Sequence, residues 1–227
     1  MTSLIDSFPR AIDADWPAIA QTLTTQSSGS IDVILAADQV AKLSKDYYHF
    51  SPILVPQLQD KVGDLVVRPK TEADVLTVAR LCVSHKLPLT IRGAGTGNYG
   101  QAIPLAGGII LDLSAMNAVK WVKPGVACVE PGAKLAAIDR TTRAQGWEIR
   151  MSPSTYRTAT IGGFIGGGSG GIGSVMYGQL ADRGNLQAVR VATLEDTPRI
   201  IELRGDAVQQ VNHAYGTNGI MTELEIP

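Results

Sequence analysis

Nine residues, Arg92 to Gly100 (Arg-Gly-Ala-Gly-Thr-Gly-Asn-Tyr-Gly), follow the apolar run Leu87-Pro88-Leu89-Thr90-Ile91 and constrain the fold more than any other stretch. They describe a strand that empties into a glycine loop. Glycines at 93, 95, 97 and 100 allow positive φ and let a ligand approach the main chain, where successive N–H groups converge on an anion. Arg92 is expected to add a cation at the mouth of the loop.

The rest of the chain supplies little charge for such a ligand. Charged residues are 18% of 227 and the net charge is −1, which argues against a nucleic acid or an acidic lipid surface as partner, so a ligand's charge has to be met locally. The length suits one large domain or two small lobes sharing an interface. Cys82 and Cys128 lie far apart in apolar contexts, as buried thiols do in a reducing compartment. Met1 to Asp6 lacks the basic and apolar regions of a signal peptide, and no uninterrupted apolar stretch is long enough for a bilayer. A cytoplasmic location is the expectation.

Residues 1–60 are expected to form a helical preface. Asp13 to Thr25 makes one short helix, and Asp32 caps a second with Val33, Ile34, Ala37, Val40 and Ala41 on one face. The aromatic tract Asp46-Tyr47-Tyr48-His49-Phe50-Ser51-Pro52 ends it and suits packing. Leu65 to Pro69 is a strand, Thr71-Glu72-Ala73-Asp74 a capping box, and Val75, Val78, Ala79, Cys82 and Val83 the buried stripe of the helix it opens. Gly107 to Leu113 returns as a strand, completing an α/β lobe of about residues 61–117. From 118 to 227 the pattern is more antiparallel. Strands at Ala118 to Val122 and Val126 to Val129 are joined by Lys123-Pro124-Gly125, and a helix runs from Pro131-Gly132 to Gln145 with Gly146 as its stop. Gln187 to Leu194, Ile200 to Leu203 and Gly219 to Ile226 are further strands. Eight of the twelve residues from Gly162 to Gly173 are glycine. Phe164, Ile165 and Ile172 make this an ordered segment lining a ligand rather than a polar linker.

Two literal motif matches fail on context. Gly95 to Gly100 fits G-x-G-x-x-G with Asp112 at a strand end, but Gln101 to Gly108 leaves no room for the helix that must follow a nicotinamide-dinucleotide loop. Gly167-Gly168-Ser169-Gly170-Gly171 fits the hydrolase G-x-S-x-G, but lacks the strand before and the helix after. His49, His85 and His213, with the two cysteines, form no metal-ligand spacing and suit surface or packing positions.

The order of the features is itself informative. Arg92 to Gly100, Leu111 to Asn117, Val129-Glu130-Pro131-Gly132-Ala133, Thr160-Ile161-Gly162-Gly163 and Gly216 to Glu223 occur together. They resemble the flavin-binding domain of the vanillyl-alcohol oxidase and p-cresol methylhydroxylase family, in its glycolate oxidase subunit, D-lactate and D-2-hydroxyglutarate dehydrogenase branch. The resemblance covers residue 61 to the end. It implies an α+β fold of two α/β lobes (the PCMH-type FAD-binding fold) after an N-terminal helical segment, with FAD extended between the lobes.

By the same resemblance Arg92, Gly93, Ala94, Gly95, Thr96, Gly97 and Asn98 bind the pyrophosphate. Pro153, Ser154, Thr160, Gly162, Gly163, Gly166, Gly167, Gly168, Ser169 and Gly170 line the ribityl and ring side, and Gly219, Ile220 and Met221 form the closing strand. The phosphate loop has no histidine or cysteine, and Cys128 sits in a strand, so the flavin is expected to be non-covalent. The family's second domain, which caps the ring, is expected to begin about where Pro227 stands. Two classes remain: the cofactor portion of an oxidoreductase acting on the CH–OH group of a small 2-hydroxy acid, or a non-catalytic flavin-binding module. No residue is assigned as the base, and Tyr177 suits a packing wedge better than a ring-side role.

Overall fold

The computed structural model describes residues 14–27 and 29–227. Met1 to Asp6 and the expected helix start at Asp13 lie outside them.

The first lobe grows from two apolar runs. Leu65-Val66-Val67 and Ile109-Ile110-Leu111 are completely buried, as expected of parallel strands covered on both faces. They form β2 (Leu65–Arg68) and β4 (Ile109–Asp112), and the sheet order is β1-β2-β4-β3, with β1 at Asp32–Ile34 and β3 at Leu89–Arg92. β2 and β3 both pair in parallel with β4, whereas β1 runs antiparallel to β2. Of the helices, α1 (Trp16–Gln26) and α4 (Glu72–His85) cover the face of Leu65, Val67, Ile109 and Leu111, and α2 (Ala37–Leu43) meets Val66 and Ile110 through Val40. A further turn of helix, α3 (Val55–Leu58), packs beside the Tyr48 region. α4 opens with the expected capping box. Thr71 Oγ1 accepts from Asp74 N–H at 3.1 Å, and Asp74 Oδ2 accepts from Thr71 N–H at 2.9 Å. Lys86 ends it in the left-handed conformation.

The Asp32 expectation is corrected here. Asp32, Val33 and Ile34 are strand residues opposite Arg68, Val67 and Val66, and the helix begins only at Ala37. Three residues carry no readable period, so pairing with β2 decides their state.

The second lobe is one antiparallel sheet of order β5-β6-β9-β7-β8, from β5 (Val119–Lys123), β6 (Val126–Val129), β7 (Ala188–Ala192), β8 (Ile200–Arg204) and β9 (Ile220–Ile226). One face meets α5 (Leu135–Arg143) and α6 (Ile161–Gly167) in a core that includes Val129, Ile138, Phe164, Ile165, Val189 and Leu224. The other carries ion pairs such as Lys120–Glu223 and Arg204–Glu225. Such a division is usual for an antiparallel sheet. α5 starts four residues later than Pro131, because Leu135 N–H first bonds Ala159 O.

The lobes share both core and charge. Ala192 and Ile220 of the second sheet belong to the core of the first lobe. Glu72, in the first turn of α4, accepts from Arg190 Nε and Nη2 at 2.8 Å each and from Thr222 Oγ1 at 2.7 Å. Hydrogen bonding by Arg190 holds the Glu72 carboxyl below its usual range, despite the opposing effect of burial.

Candidate cofactor-binding site

Between the lobes lies a cavity of about 890 Å³, large enough for an extended ligand. Gly93 to Asn98 of the loop after β3 form one wall, and Pro153, Ser154, Thr160, Gly162, Gly163, Gly166, Gly167 and Ser169 form the other, with Gly219 and Met221 at the start of β9. These are sixteen of the residues expected from the sequence. Arg92, Gly168, Gly170 and Ile220 do not line it.

Arg92 is the instructive case. Gly95 has φ +64°, and a Cβ there would lie 2.1 Å from Arg92 Nη2, so the guanidinium is folded under the loop. Its Nη1 donates to Lys45 O at 2.7 Å, and burial lowers its pKa against the charges of Asp112 and Asp46. The cation expected at the mouth is behind the loop instead. Residues 93–108 contain no helix and no strand, which leaves the loop amides uncommitted to regular structure. Asp112 is bound to Arg68 Nε at 2.7 Å and to Ser114 N–H at 3.0 Å, so it is not free to hold a ribose.

The opposite wall owes its shape to α6. Ile161, Phe164 and Ile165 turn into the core, and the intervening glycines 162, 163, 166 and 167 fall together on the cavity face at helical spacing. Part of the glycine tract is therefore helical, with the apolar face compensating for the poor propensity of glycine. Gly168 ends the helix in the left-handed conformation, and the His213 ring occupies the space of its missing Cβ. Ile220 is completely buried beneath the site. Ser169 follows a helix rather than a strand, so the hydrolase elbow is absent. Tyr177 is half exposed with the Arg150 guanidinium 5.3 Å from its ring centroid, and does not line the cavity.

Several cavity residues were not expected from the sequence. Tyr47, Phe50, His213 and Tyr215 all line it. Tyr48 packs as anticipated, buried against Leu58 and Ile103, while the rings of Tyr47, His49 and Phe50 pack on one another. His213 and Tyr215 are non-glycine residues at φ +55° and +51°, a conformation that costs about 1–3 kcal/mol and concentrates at functional sites. Their N–H groups donate to Ile165 O and Gly166 O at 3.0 and 2.9 Å, and their rings meet at 2.9 Å between Nε2 and OH. The carbonyl ends of α6 are thereby satisfied. Neighbouring Gly216 and Asn218 hint at a turn, but nothing in the sequence points these rings at the cavity.

A two-lobed fold with a glycine-walled cleft defines a cofactor-binding domain. The sequence profile of the FAD binding domain family matches residues 63–200, more than half of the chain, and the chain belongs to that family. It is 31% identical over 172 residues to the glycolate oxidase subunit GlcD of Escherichia coli (strain K12), a match covering 71% of this chain and 34% of that protein. With the D-lactate dehydrogenase of Anaerostipes hadrus it shares 28% identity over 205 residues, covering 85% of this chain and 41% of that one. The chain thus spans well under half the length of these relatives. A solved structure of alkyldihydroxyacetonephosphate synthase superposes with a TM-score of 0.77 at 20% identity, covering 99% of this chain and 46% of that chain, and shares the fold.

The residues present fit FAD. Thr160 Oγ1 is buried in the cavity wall with no hydrogen-bond partner among the described residues, a polar atom that a polar group of the cofactor would satisfy. Gly93 faces it so closely that a Cβ would lie 2.3 Å from that oxygen. Bare backbone on both walls suits a flat ring and a pyrophosphate.

Proposed function

We propose that this chain is the FAD-binding portion of an oxidoreductase that acts on the CH–OH group of a small 2-hydroxy acid, with FAD held non-covalently. The observation that carries the proposal is the pairing of two glycine walls from different lobes around the orphan Thr160 hydroxyl. The names of the glycolate and D-lactate relatives support the substrate class. When bound, FAD supplies a two-electron acceptor for a C–H bond next to a hydroxyl. The protein's residues hold and orient it. Main-chain N–H groups of Gly93 to Asn98 would meet the pyrophosphate, the glycine face of α6 would lie on the ring side, and Gly219 and Met221 would close the site. Residues 61–227 make up this domain in lobes of about 61–117 and 118–227, and the N-terminal segment adds β1, α1 and α2 to the sheet and core of the first lobe. Absence of histidine and cysteine from Arg92 to Gly100 supports non-covalent binding, and the buried thiols of Cys82 and Cys128 suit a cytoplasmic location. Among the described residues no helix is long and apolar enough to cross a membrane.

A second reading is a flavin-binding module that has no turnover by itself. It is favoured by the exposed Ile172, Val175 and Met176 near the glycine tract. Reconstitution with FAD tests both. A flavin spectrum bleached anaerobically by D-lactate or glycolate supports the oxidoreductase. A stable unbleached spectrum supports the module, and failure to take up FAD sinks both. Flavin retained in the pellet after acid precipitation would overturn the non-covalent mode.

A further inference from the structure

The segment Lys45 to Phe50 precedes residue 63, where the family match begins, yet it ties down the glycine loop. Lys45 O accepts from Arg92 Nη1, and Tyr47 N–H donates to Gly97 O, both at 2.7 Å. Between these two ties stands Asp46, which is only 4% exposed and also lines the edge of the cavity, so loop exchange measured without FAD is what separates a positioning role from a direct contact. Its Oδ1 accepts from Tyr48 N–H at 2.9 Å, and Oδ2 has no hydrogen-bond partner of normal geometry. Burial pushes this carboxyl up, against the opposing influence of the Tyr48, Ala102 and Gly100 amides and of Arg92. Asp46 and Asp112 are thus the counter-charges of the buried guanidinium that fills the space beneath Gly95.

A loop with four glycines in nine residues is costly to order, because glycine loses the most conformational freedom. Preorganisation therefore has to come from outside the loop. We infer that Lys45 to Phe50 is a strap for the cofactor site and that Asp46 is its positioning residue, fixing Arg92 and the 93–102 loop in the shape that receives the FAD pyrophosphate. The inference rests on the FAD reading for its ligand, though not for the strap itself.

The test compares the full chain with Asp46→Ala and Asp46→Asn by FAD titration and by hydrogen exchange without FAD. The strap requires faster exchange in residues 93–102 of Asp46→Ala with the second sheet unchanged, and FAD affinity weakened about tenfold, or about 1.4 kcal/mol. Asp46→Asn, which keeps the shape and one acceptor oxygen, falls between. Unchanged loop exchange overturns the inference whatever the affinity does, and so does affinity within about twofold of wild type, a difference of no more than about 0.4 kcal/mol. If wild type takes up no FAD, the cofactor reading fails and loop exchange alone decides the strap. If Asp46→Ala does not fold, the same exchange criterion is applied to Asp46→Asn.

Discussion

The two glycine-rich regions differ in why they need glycine. In the loop after β3, added Cβ atoms at Gly93, Gly95, Gly97 and Gly100 would strike Thr160, Arg92, Gln101 and Leu58 side chains. In the later tract the obstacles at Gly171 and Gly173 are backbone atoms of Ser152 and Arg150, while Gly167 meets nothing within 4 Å. Side chains yield and backbone does not. A glycine that faces the cavity without any protein obstacle is explained by the ligand instead.

That contrast breaks most readily at Gly173, where a Cβ would lie 1.8 Å from Arg150 O. Gly173→Ala is expected to lower stability by about 3 kcal/mol, an overpacking penalty. Urea midpoints measure it, and an unchanged midpoint would mean the tract is not packed as described. Gly95→Ala combines φ +64° with the Arg92 contact, and a loss of about 2 kcal/mol is expected because the guanidinium can shift aside.

The joint between the lobes sharpens the comparison by asking whether the two regions depend on one another. Glu72→Gln is expected to cost about 1 kcal/mol, a charged hydrogen bond discounted for partial exposure. The folded pKa of Glu72 lies below its ordinary value of 4.5, so its contribution is present above that value and lost as pH falls through the folded pKa. The stability gap between wild type and Glu72→Gln should be flat from neutrality down to about 4.5 and close below it. A gap that widens in acid would refute the assignment. The smallest stability effect belongs to Gly167→Ala, under about 0.5 kcal/mol. FAD affinity should nevertheless fall, and a variant that binds as wild type would show that Gly167 does not face the ligand.

The sequence made the fold legible wherever the signal was local and repeated. The apolar runs at 65–67 and 109–111 marked two strands of an α/β lobe, and Thr71 with Asp74 marked the start of α4. Local signals failed where state depends on a distant partner. Asp32 to Ile34 became a strand through Arg68 to Val66. Tyr47 reached the site through a bond to Gly97, fifty residues on. Arg92 was legible as a residue of the loop, but its direction was set by Lys45, Asp46 and Asp112. In the sequence His213 suits a surface or packing position and nothing singles out Tyr215, because positive φ is ordinarily announced by glycine, and their strain is compensated by bonds to α6 that only the assembled lobe provides.

The position of β9 has a consequence for biosynthesis. It sits between β6 and β7, and the chain reaches it only after every other strand of its sheet. Until Ile220–Ile226 leaves the ribosome, β5–β6 and β7–β8 are two hairpins with no shared partner, and the nascent second lobe exposes unpaired strand edges. The wall made by Gly219 and Met221 is missing for the same interval. Flavin capture is therefore expected to follow translation of this strand, and a ribosome stalled before residue 219 should carry a chain that cannot retain the cofactor.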